Sequence, residues 1–386
     1  MANLFEKREE FIKKGDRAMS TNRYKDALIA FLSAGVESVH LNWKRNILNK
    51  AMSILEIDFD NDGEKEVLIG TDGGQLFAFS PNGAEKEVFK ETRSNYKKNY
   101  YIFDNSINSI KVLKASSDKD VIIVGADKIH FFQYTNGLMI LLKYEEIHKC
   151  PISKLEIFTY KGEQRLVVGY DDGNVYCYKM DGLNITPIEH FHFVSEKRMI
   201  DIAIGDINGD EELEIVLVSE DKYVYFLNVD GRQVAEPFAV KHWITNIDID
   251  KSTDRLYIGE FDGMIHLYKY QKERIKKIAA LKQHGILDLK VMRLFGESSE
   301  PQFIIGTSDE TMSIFDSIEY NGELLWAFIT SAGQRTISAI LIDIGTILIY
   351  VGTESCELLK YTVCVDRSLK NKIGEAAAAV TTNSER

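Results

Sequence analysis

The sequence predicts an all-β fold, a seven-bladed β-propeller preceded by a short α-helical hairpin. From residue 38 onward, apolar and polar residues alternate with the period of two that is typical of β-strands, and glycine and aspartate turns separate the apolar runs. One unit also recurs down the chain, and its marker position returns every 40 to 55 residues. Seven repeats of about 40–50 residues, with four strands each, describe a propeller. The marker position is occupied by Gly70, Gly125, Gly169, Ser219, Gly259, Gly306 and Gly352.

Each repeat follows the same order of elements. An apolar strand pair ends at the marker position, a polar turn such as Asp72-Gly73 follows, and a short strand rich in aromatic residues comes next. Several repeats then contain an Asn-Gly or Asp-Gly pair, the residues that tight hairpin turns prefer. In the first repeat this pair, Asn82-Gly83, predicts that Lys86–Phe89 forms the fourth, outermost strand.

The last repeat, residues 337–365, contains only three strands, and we expect its fourth strand to come from the start of the domain. Val39–Ile47 is a plausible extended segment, and its Trp43 resembles Trp326 of the fourth strand in the preceding repeat. A strand supplied in this way would close the ring and remove the exposed sheet edges.

Residues 5–38 carry a helical period and predict two helices. Their spacing resembles one tetratricopeptide (TPR) unit, whose small and aromatic packing positions correspond here to Gly15, Ala18, Asn22, Tyr24, Ala27, Phe31 and Ala34. A single unit of this type cannot bury its own face, so the hairpin must pack on something. It either caps the following domain or acts as a docking arm for another helical protein.

The chain is therefore predicted to have three parts. Residues 1–38 form the helical hairpin, 39–366 form the propeller, and 367–386 form a polar tail that is either a frayed helix or disordered.

The composition excludes several function classes. The chain has 386 residues, 45% of them hydrophobic, and a net charge of −12. An acidic protein repels phosphate backbones, so nucleic acid is not expected as a partner. No apolar run approaches the roughly 18 residues of a membrane span, and the charged N-terminal stretch lacks the apolar centre of a signal peptide. The four cysteines do not form a disulfide framework, so we expect a cytoplasmic protein without direct membrane insertion.

Two acid-rich loops are candidate metal sites. They follow the patterns DxDxDGxxE and DxNxDxxxE, in which side chains at positions one, three, five and nine converge and position seven offers a backbone carbonyl. An all-oxygen ligand set suits calcium, which would stiffen the loop. Alternatively, the backbone N–H groups of each loop hold its carboxylates without a metal. The candidate ligands are Asp58, Asp60, Asp62, Glu64 and Glu66 in the first loop, and Asp206, Asn208, Asp210, Glu212 and Glu214 in the second.

The stretches DFDNDGEKEVLIG and DINGDEELEIVLV resemble the calcium-loop half of the FG-GAP repeats in integrin α-subunit propellers. The longer stretch AMSILEIDFDNDGEKEVLIGTDGGQLFAF is similar to intracellular FG-GAP and WD40-like propellers, such as those of the Bardet–Biedl coat subunits and the kaptin-type lysosomal scaffold proteins. The resemblance implies a propeller over residues 39–365 and calcium in both loops. It also implies a role in a trafficking coat or a GTPase-linked signalling assembly.

No catalytic motif is evident in the sequence. It contains no GxGxxG, P-loop or GxSxG, and its eight histidines are scattered. His190 and His192 would share a strand face and could hold a metal, although an ordinary half-buried strand explains them better.

We therefore expect a non-catalytic scaffold that binds other proteins in a multi-subunit complex. One alternative is a calcium-dependent binding module. Another is a hydrolase or lyase with a site at the central channel, which would require a cluster of acids or histidines at the channel mouth.

Overall fold

A computed structural model of the chain describes residues 5–21, 23–90, 97–114, 120–250, 255–271, 274–317 and 322–384. These residues form seven four-stranded sheets, one two-stranded sheet and three helices. The first strand of each repeat contacts the first strands of both neighbouring repeats, so the seven sheets close into a ring. The predicted seven-bladed propeller is confirmed.

The first four blades each take their strands from one stretch of chain. Blade one contains β2 (Ala51–Ile57), β3 (Glu66–Thr71), β4 (Gln75–Phe79) and β7 (Tyr100–Ile102), and blade two contains β8 (Ser109–Leu113), β9 (Val121–Gly125), β10 (Ile129–Thr135) and β11 (Leu138–Glu145). Blade three contains β12 (Ile152–Tyr160), β13 (Glu163–Tyr170), β14 (Asn174–Asp181) and β15 (Asn184–Val194). Blade four contains β16 (Met199–Gly205), β17 (Glu214–Ser219), β18 (Tyr223–Asn228) and β19 (Gln233–Ala239).

Blades five and six are built in the same way, and blade seven joins the two ends of the ring. Blade five contains β20 (Ile244–Asp250), β21 (Arg255–Glu260), β22 (Met264–Gln271) and β23 (Arg274–Lys282), and blade six contains β24 (Ile286–Met292), β25 (Gln302–Thr307), β26 (Thr311–Phe315) and β27 (Leu324–Ile329). Blade seven contains β28 (Gln334–Asp343), β29 (Thr346–Thr353), β30 (Glu357–Cys364) and β1 (Val39–Asn46). The N-terminal strand therefore closes the ring as predicted.

The hydrophobic core lies between the blades. Within the described residues, seven clusters of buried side chains each join two neighbouring blades. This packing explains the marker glycine, because a Cβ at Gly70 would lie 2.4 Å from Ile107 and one at Gly352 would lie 2.4 Å from Ala51. Neither glycine has a positive φ, so the close approach of the next blade, and not a turn, requires glycine there.

The outermost strand of blade one differs from the prediction. Tyr100–Ile102 pairs with β4, whereas Lys86–Phe89 does not form the fourth strand. Val88 and Phe89 are instead buried with side chains of blade two, and the N–H of Met139 donates to the carbonyl oxygen of Val88 at 2.8 Å. Burial of these two apolar side chains between the blades outweighs pairing along β4. Phe89–Lys90 (β5) pairs with Lys97–Lys98 (β6) in the two-stranded sheet.

The three helices pack together beside blades six and seven. They are α1 (Glu6–Ser20), α2 (Tyr24–Val36) and α3 (Arg367–Ser384), and Asn22 between α1 and α2 lies outside the described residues. Their shared core contains Ala18, Ala27, Phe31, Ala34, Leu369 and Ala376, with Trp326 of blade six packed against it.

Residues 367–384, predicted as either a frayed helix or a disordered tail, form the helix α3. Leu369 and Ala376 are two helical turns apart, so they lie on one face of α3, and both are fully buried. Arg8 also anchors the unit, because its Nη2 lies 2.5 Å from Asp366 Oδ2 and its Nε donates to Ser38 Oγ at 3.0 Å.

Candidate functional site

The first acid loop links β2 to β3, and its own carboxylates hold its shape. Asp58 accepts hydrogen bonds from the backbone N–H groups of Asp62 at 3.2 Å and Gly63 at 3.0 Å, and Asp62 accepts one from Glu64 at 2.8 Å. Asn61 and Gly63 have φ values of +58° and +87°, a region that asparagine and glycine adopt more readily than other residues. The loop is thus organised by carboxylate-to-backbone hydrogen bonds.

Lys86 places an ammonium group among the remaining carboxylates of this loop. Its Nζ lies 2.7 Å from Asp60 Oδ2 and also contacts Glu66 Oε1, while the other Glu66 oxygen accepts the N–H of Phe59 at 3.3 Å. Burial raises the pKa of Glu66. Burial lowers the pKa of Lys86, but its hydrogen bonds to Asp60 and Glu66 outweigh this effect and raise it. Asp60 Oδ1 is buried and accepts no hydrogen bond from the residues that the structure describes.

The second acid loop, between β16 and β17, has the same backbone shape. Asp206 accepts the N–H groups of Gly209 at 2.6 Å and Glu211 at 2.8 Å. Gly209 and Glu211 have φ values of +79° and +68°, matching the two left-handed positions of the first loop. The carboxylate of Glu212 turns away from the loop, to Lys161 Nζ at 2.6 Å and Tyr160 Oη at 2.5 Å in blade three.

An amide takes the place of the lysine in the second loop. The Asn208 side-chain N–H group donates to Asp210 Oδ2 and to Glu214 Oε1, each at 3.0 Å. The other oxygen of Glu214 accepts the N–H of Ile207 at 2.9 Å. Burial, with a smaller contribution from the charges of Asp210 and Asp206, raises the pKa of Glu214 to about 7.

The donor sets of the two loops can be compared with what calcium requires. Asp58, Asp60 and Glu66 each place one oxygen within 4.8 Å of the others. Calcium takes about six to eight oxygen ligands, however, and the Lys86 ammonium already lies on two of these three carboxylates. In the second loop, the Asn208 side-chain N–H group contacts Glu214, as the Lys86 ammonium contacts Glu66 in the first loop. As arranged here, these residues do not fit a resident calcium ion, and calcium at either loop stays a prediction.

The first strands of all seven blades line a central cavity of about 760 Å³. Charged side chains inside it pair between neighbouring blades, with Lys154 Nζ 2.7 Å from Asp201 Oδ1. Burial disfavours both charges, but their mutual attraction outweighs it, so the pKa of Asp201 is lowered and that of Lys154 is raised. Asp201 Oδ2 also accepts the N–H of Ile247, and Asp288 accepts that of Ile337 at 2.7 Å. These groups brace one blade against the next.

A cluster of possible metal ligands lies at the edge of this cavity, on blade five. His242, Glu260 and Asp262 each offer a nitrogen or oxygen, and the three atoms lie within 4.8 Å of one another. Their sequence neighbours Trp243 and Phe261 line the cavity. This cluster is not apparent from the sequence, where the histidines are scattered. Glu260 was the available signal, because its place in the strand register is occupied in the other blades by residues that are not acidic: Thr71, Ala126, Tyr170, Ser219, Thr307 and Thr353.

The two histidines that were considered as a metal pair do not converge. His192 Nε2 lies 2.7 Å from Asn174 Oδ1, and its ring stacks on Tyr176 with centroids 4.7 Å apart. His190 has a φ of +68° and an almost fully exposed side chain. The His192 imidazole is thus held by Asn174 and Tyr176, whereas that of His190 is exposed, and a metal shared by the two stays a prediction.

Helix α2 is apolar on its exposed face as well as on its buried face. Ile29 and Leu32 are three residues apart on one helical face and are 64% and 50% exposed. On the other side, Ala27 and Phe31 are buried against the neighbouring helices. Of the helices in the described part of the chain, none is long and apolar enough to cross a membrane.

No family model and no curated protein matches this chain. Among solved structures, it is similar to BBS1N in two crystal structures of the complex with ARL6DN, soaked with lead and with mercury. Their TM-scores are 0.63 and 0.62 at 12% and 13% identity, and each match covers 86% of this chain and 98% of that chain. A crystal structure of the computationally designed Ika8 protein has a TM-score of 0.55 at 14% identity, covering 81% of this chain and 83% of the designed one.

Sequence identities this low show a common fold, but they do not show a common family or function. The resemblance to intracellular propeller proteins that the sequence indicated is confirmed at the level of architecture. The FG-GAP, WD40-like and TPR-like features stay predictions. What the comparisons show is that this chain is a β-propeller of the shape found in BBS1N.

Proposed function

We propose that this protein is a non-catalytic interaction scaffold, a propeller subunit of a larger cytoplasmic complex. The observation that carries the proposal is the exposed apolar pair Ile29 and Leu32 on α2. Helices that are apolar on all sides are normally covered on all sides, and here α1, α3 and the propeller cover only part of α2. A partner protein covers the rest.

The partner surface that fits this face is a helix with apolar side chains of its own. Two-helix units normally stack against a further helix pair, and Ile29 and Leu32 lie at the spacing of helix-to-helix anchors. BBS1N, which has a similar fold, was crystallised in a complex with ARL6DN, which supports protein binding by a propeller of this shape as an analogy. Trafficking coats and GTPase-linked assemblies are the settings that the sequence resemblance favours. The four free cysteines agree with a reducing compartment.

The test is quantitative affinity purification from the native cell with a surface variant. Ile29→Asp with Leu32→Asp places charges on the exposed face without touching the helical core. We expect the stoichiometric partners of the wild type to be reduced at least about tenfold, since buried apolar anchors contribute about 2 kcal/mol or more. Ile344→Asp, at a residue that is 70% exposed in another part of the molecule, is the matched control.

One result would contradict the scaffold proposal, and another would contradict the choice of α2 as the binding surface. One is a wild-type chain that is recovered alone. The other is an identical partner set in the double variant and in the Ile344→Asp control, which would place the binding surface elsewhere than α2. The melting temperature of the double variant is measured alongside, because a large decrease would show that the substitutions destabilise the fold.

The calcium-dependent module is the second proposal, and Asp60 Oδ1, which is buried without a hydrogen bond, is the observation that favours it. It requires Lys86 to leave Asp60 and Glu66. If it is correct, calcium at physiological levels raises the melting temperature, and Asp60→Ala abolishes the rise. The absence of catalysis also stays a prediction.

A further inference from the structure

The edge of blade five at the channel mouth brings together side chains of the types that bind zinc. We propose that His242, Glu260 and Asp262 bind a divalent transition metal ion of the zinc type. One imidazole and two carboxylates with ligand atoms within 4.8 Å of one another form a mixed nitrogen and oxygen set. Calcium prefers oxygen alone, so this chemistry differs from that predicted for the acid loops. The inference goes beyond the scaffold function.

Backbone hydrogen bonds fix one oxygen of each carboxylate. Glu260 Oε2 accepts the N–H of His242 at 3.2 Å, and Asp262 Oδ1 accepts the N–H of Met264 at 3.1 Å. Asp262 Oδ2 is then left 3.3 Å from His242 Nε2. Ligand atoms bound to one ion at about 2.0–2.2 Å lie roughly 3 Å apart, so this spacing fits shared coordination.

The turn that carries Asp262 has little freedom. Gly263 has a φ of +96°, and a Cβ there would lie 2.0 Å from the carbonyl oxygen of Gln283. The N–H of Phe261 donates to the carbonyl oxygen of Trp243 at 2.8 Å, which ties the turn to the loop that carries His242. The three ligands are therefore held on two cross-linked segments and not on a free loop.

Unpaired buried atoms are the second, independent observation. Glu260 is 1% exposed and His266 is 7% exposed. Glu260 Oε1 lies 2.8 Å from His266 Nε2, and within the described residues neither Glu260 Oε1 nor His266 Nδ1 makes a hydrogen bond. A buried carboxylate oxygen left in this state is costly unless something else binds it. A metal ion beside Glu260 supplies that interaction, and His266 acts as a positioning residue for Glu260.

Two other blades also bring a histidine close to the turn aspartate, and they show what makes blade five different. A histidine of the entering loop also approaches the turn aspartate in blade three, His148 to Asp172 at 2.5 Å, and in blade six, His284 to Asp309 at 3.6 Å. In those blades the position of Glu260 is occupied by Tyr170 and by Thr307. Each of these two blades therefore has a histidine–aspartate pair without the glutamate. Blade six provides a natural control for the three-residue cluster.

Lys282 competes for one of the proposed ligands. Its Nζ lies 3.0 Å from Asp262 Oδ2 and it also contacts the backbone oxygen of Asp262. The side chain is 58% exposed and touches one carboxylate, so it can swing into solvent when a metal binds. Lys86 differs, because it lies between two carboxylates and is largely buried.

The experiment uses the full chain, freed of metal with a chelator and kept under a thiol-free reductant. Zn²⁺ is titrated by calorimetry, and Co²⁺ by its visible absorption, which reports the ligand field directly. We expect one equivalent of Zn²⁺ to bind. His242→Ala and Glu260→Gln should each weaken binding at least about tenfold. His284→Ala should leave it unchanged, and Lys282→Met should strengthen it.

Each alternative outcome overturns the proposal. The absence of saturable Zn²⁺ binding by the wild type does so directly. Unchanged affinity in both His242→Ala and Asp262→Asn places the metal elsewhere, on the cysteines or the acid loops. His242 and Asp262 are partly exposed, so these two variants remain folded and keep the test valid if Glu260→Gln unfolds. None of these results depends on whether a protein partner binds α2.

Discussion

One lysine, Lys86, distinguishes the first acid loop from the second. Lys86 neutralises Asp60 and Glu66, whereas the second loop satisfies Glu214 with the amide of Asn208. The two loops have nearly the same acidic pattern and the same backbone shape, yet their buried glutamates carry different electrostatic environments. This difference leads to one prediction for each loop.

Lys86→Met should make the first loop bind calcium more tightly than the wild type does. The variant keeps an apolar stem but leaves Asp60 and Glu66 without a cation, which should cost about 3 kcal/mol of unfolding free energy in the absence of metal. Calcium should recover part of this loss, up to about 2.7 kcal/mol at a hundredfold excess over its Kd. Thermal melts with and without calcium measure the effect. Lys65→Met, which removes an exposed lysine that pairs with Glu56 at 3.5 Å, is the control, and an equal calcium shift in both variants would refute the prediction.

Glu214→Gln should remove a pH-dependent component of stability. The pKa of Glu214 is raised to about 7 from the ordinary 4.5, so its contribution is present below pH 4.5 and is lost as the pH rises through 7. The stability of the variant relative to the wild type should therefore increase between about pH 4.5 and 7 and then level off. The full change is roughly 3 kcal/mol, since each pKa unit is worth about 1.4 kcal/mol. Urea unfolding at several pH values measures it, and a difference that does not vary with pH would contradict the raised pKa.

The sequence identified the acid loops because their ligand positions lie within nine consecutive residues. It did not identify Lys86, because the segment after Asn82-Gly83 folds back toward the loop only when Val88 and Phe89 pack on blade two. The blade-five cluster was missed for a related reason. His242 and Glu260 are 18 residues apart, and only the pairing of β20 with β21 brings them together.

At the scale of elements, close packing of α1 on α2 should outweigh helix propensity. Replacing a helix-interior glycine with alanine normally stabilises a helix by about 1 kcal/mol. A Cβ at Gly15, however, would lie 2.2 Å from the buried ring of Phe31. We expect Gly15→Ala to destabilise the protein by about 1–2 kcal/mol in urea unfolding, since overpacking costs about 1–3 kcal/mol. In a Phe31→Leu background the same change should be neutral or stabilising, and a loss of equal size in both backgrounds would exclude the steric explanation.

The elements themselves were predictable to different degrees. Strands with a repeated glycine and turn were identified correctly, because the same inter-blade contact recurs around the ring. The outer strand Tyr100–Ile102 was not identified, because it has only three residues, too few to show the alternation of apolar and polar residues that predicts a strand. For residues 367–386 the sequence left a frayed helix and a disordered tail as alternatives, because the alanine run has no strong apolar face until α2 covers Leu369 and Ala376.

At the scale of the whole molecule, the ring depends on contacts between residues far apart in sequence. β1 pairs with β30, and Val39 lies opposite Val363. The repeat count predicted this closure, since a seventh unit with three strands needs a fourth. The side-chain packing of β1 could not be predicted in the same way. Its residues pack against side chains of blades six, seven and one, which are far apart in the sequence.

Trp43 is the residue on which the closure can be tested. Its side chain is buried on β1, with its ring 6.3 Å from that of Phe79 and 6.0 Å from that of Tyr350, and its Nε1 donates to the carbonyl oxygen of Pro81 at 2.9 Å. Trp43→Ala should lower the unfolding free energy by about 3–5 kcal/mol, the usual range for a buried aromatic truncation.

Urea unfolding of Trp43→Ala measures this loss, and Leu41→Ala on the same strand is the control because Leu41 is 44% exposed and its truncation should cost little. If the ring unfolds as one unit, the Trp43 variant should lose all seven blades in a single transition at lower urea. Separate unfolding of blade seven, or a loss no larger than that of Leu41→Ala, would show that β1 covers the last blade without holding the ring together.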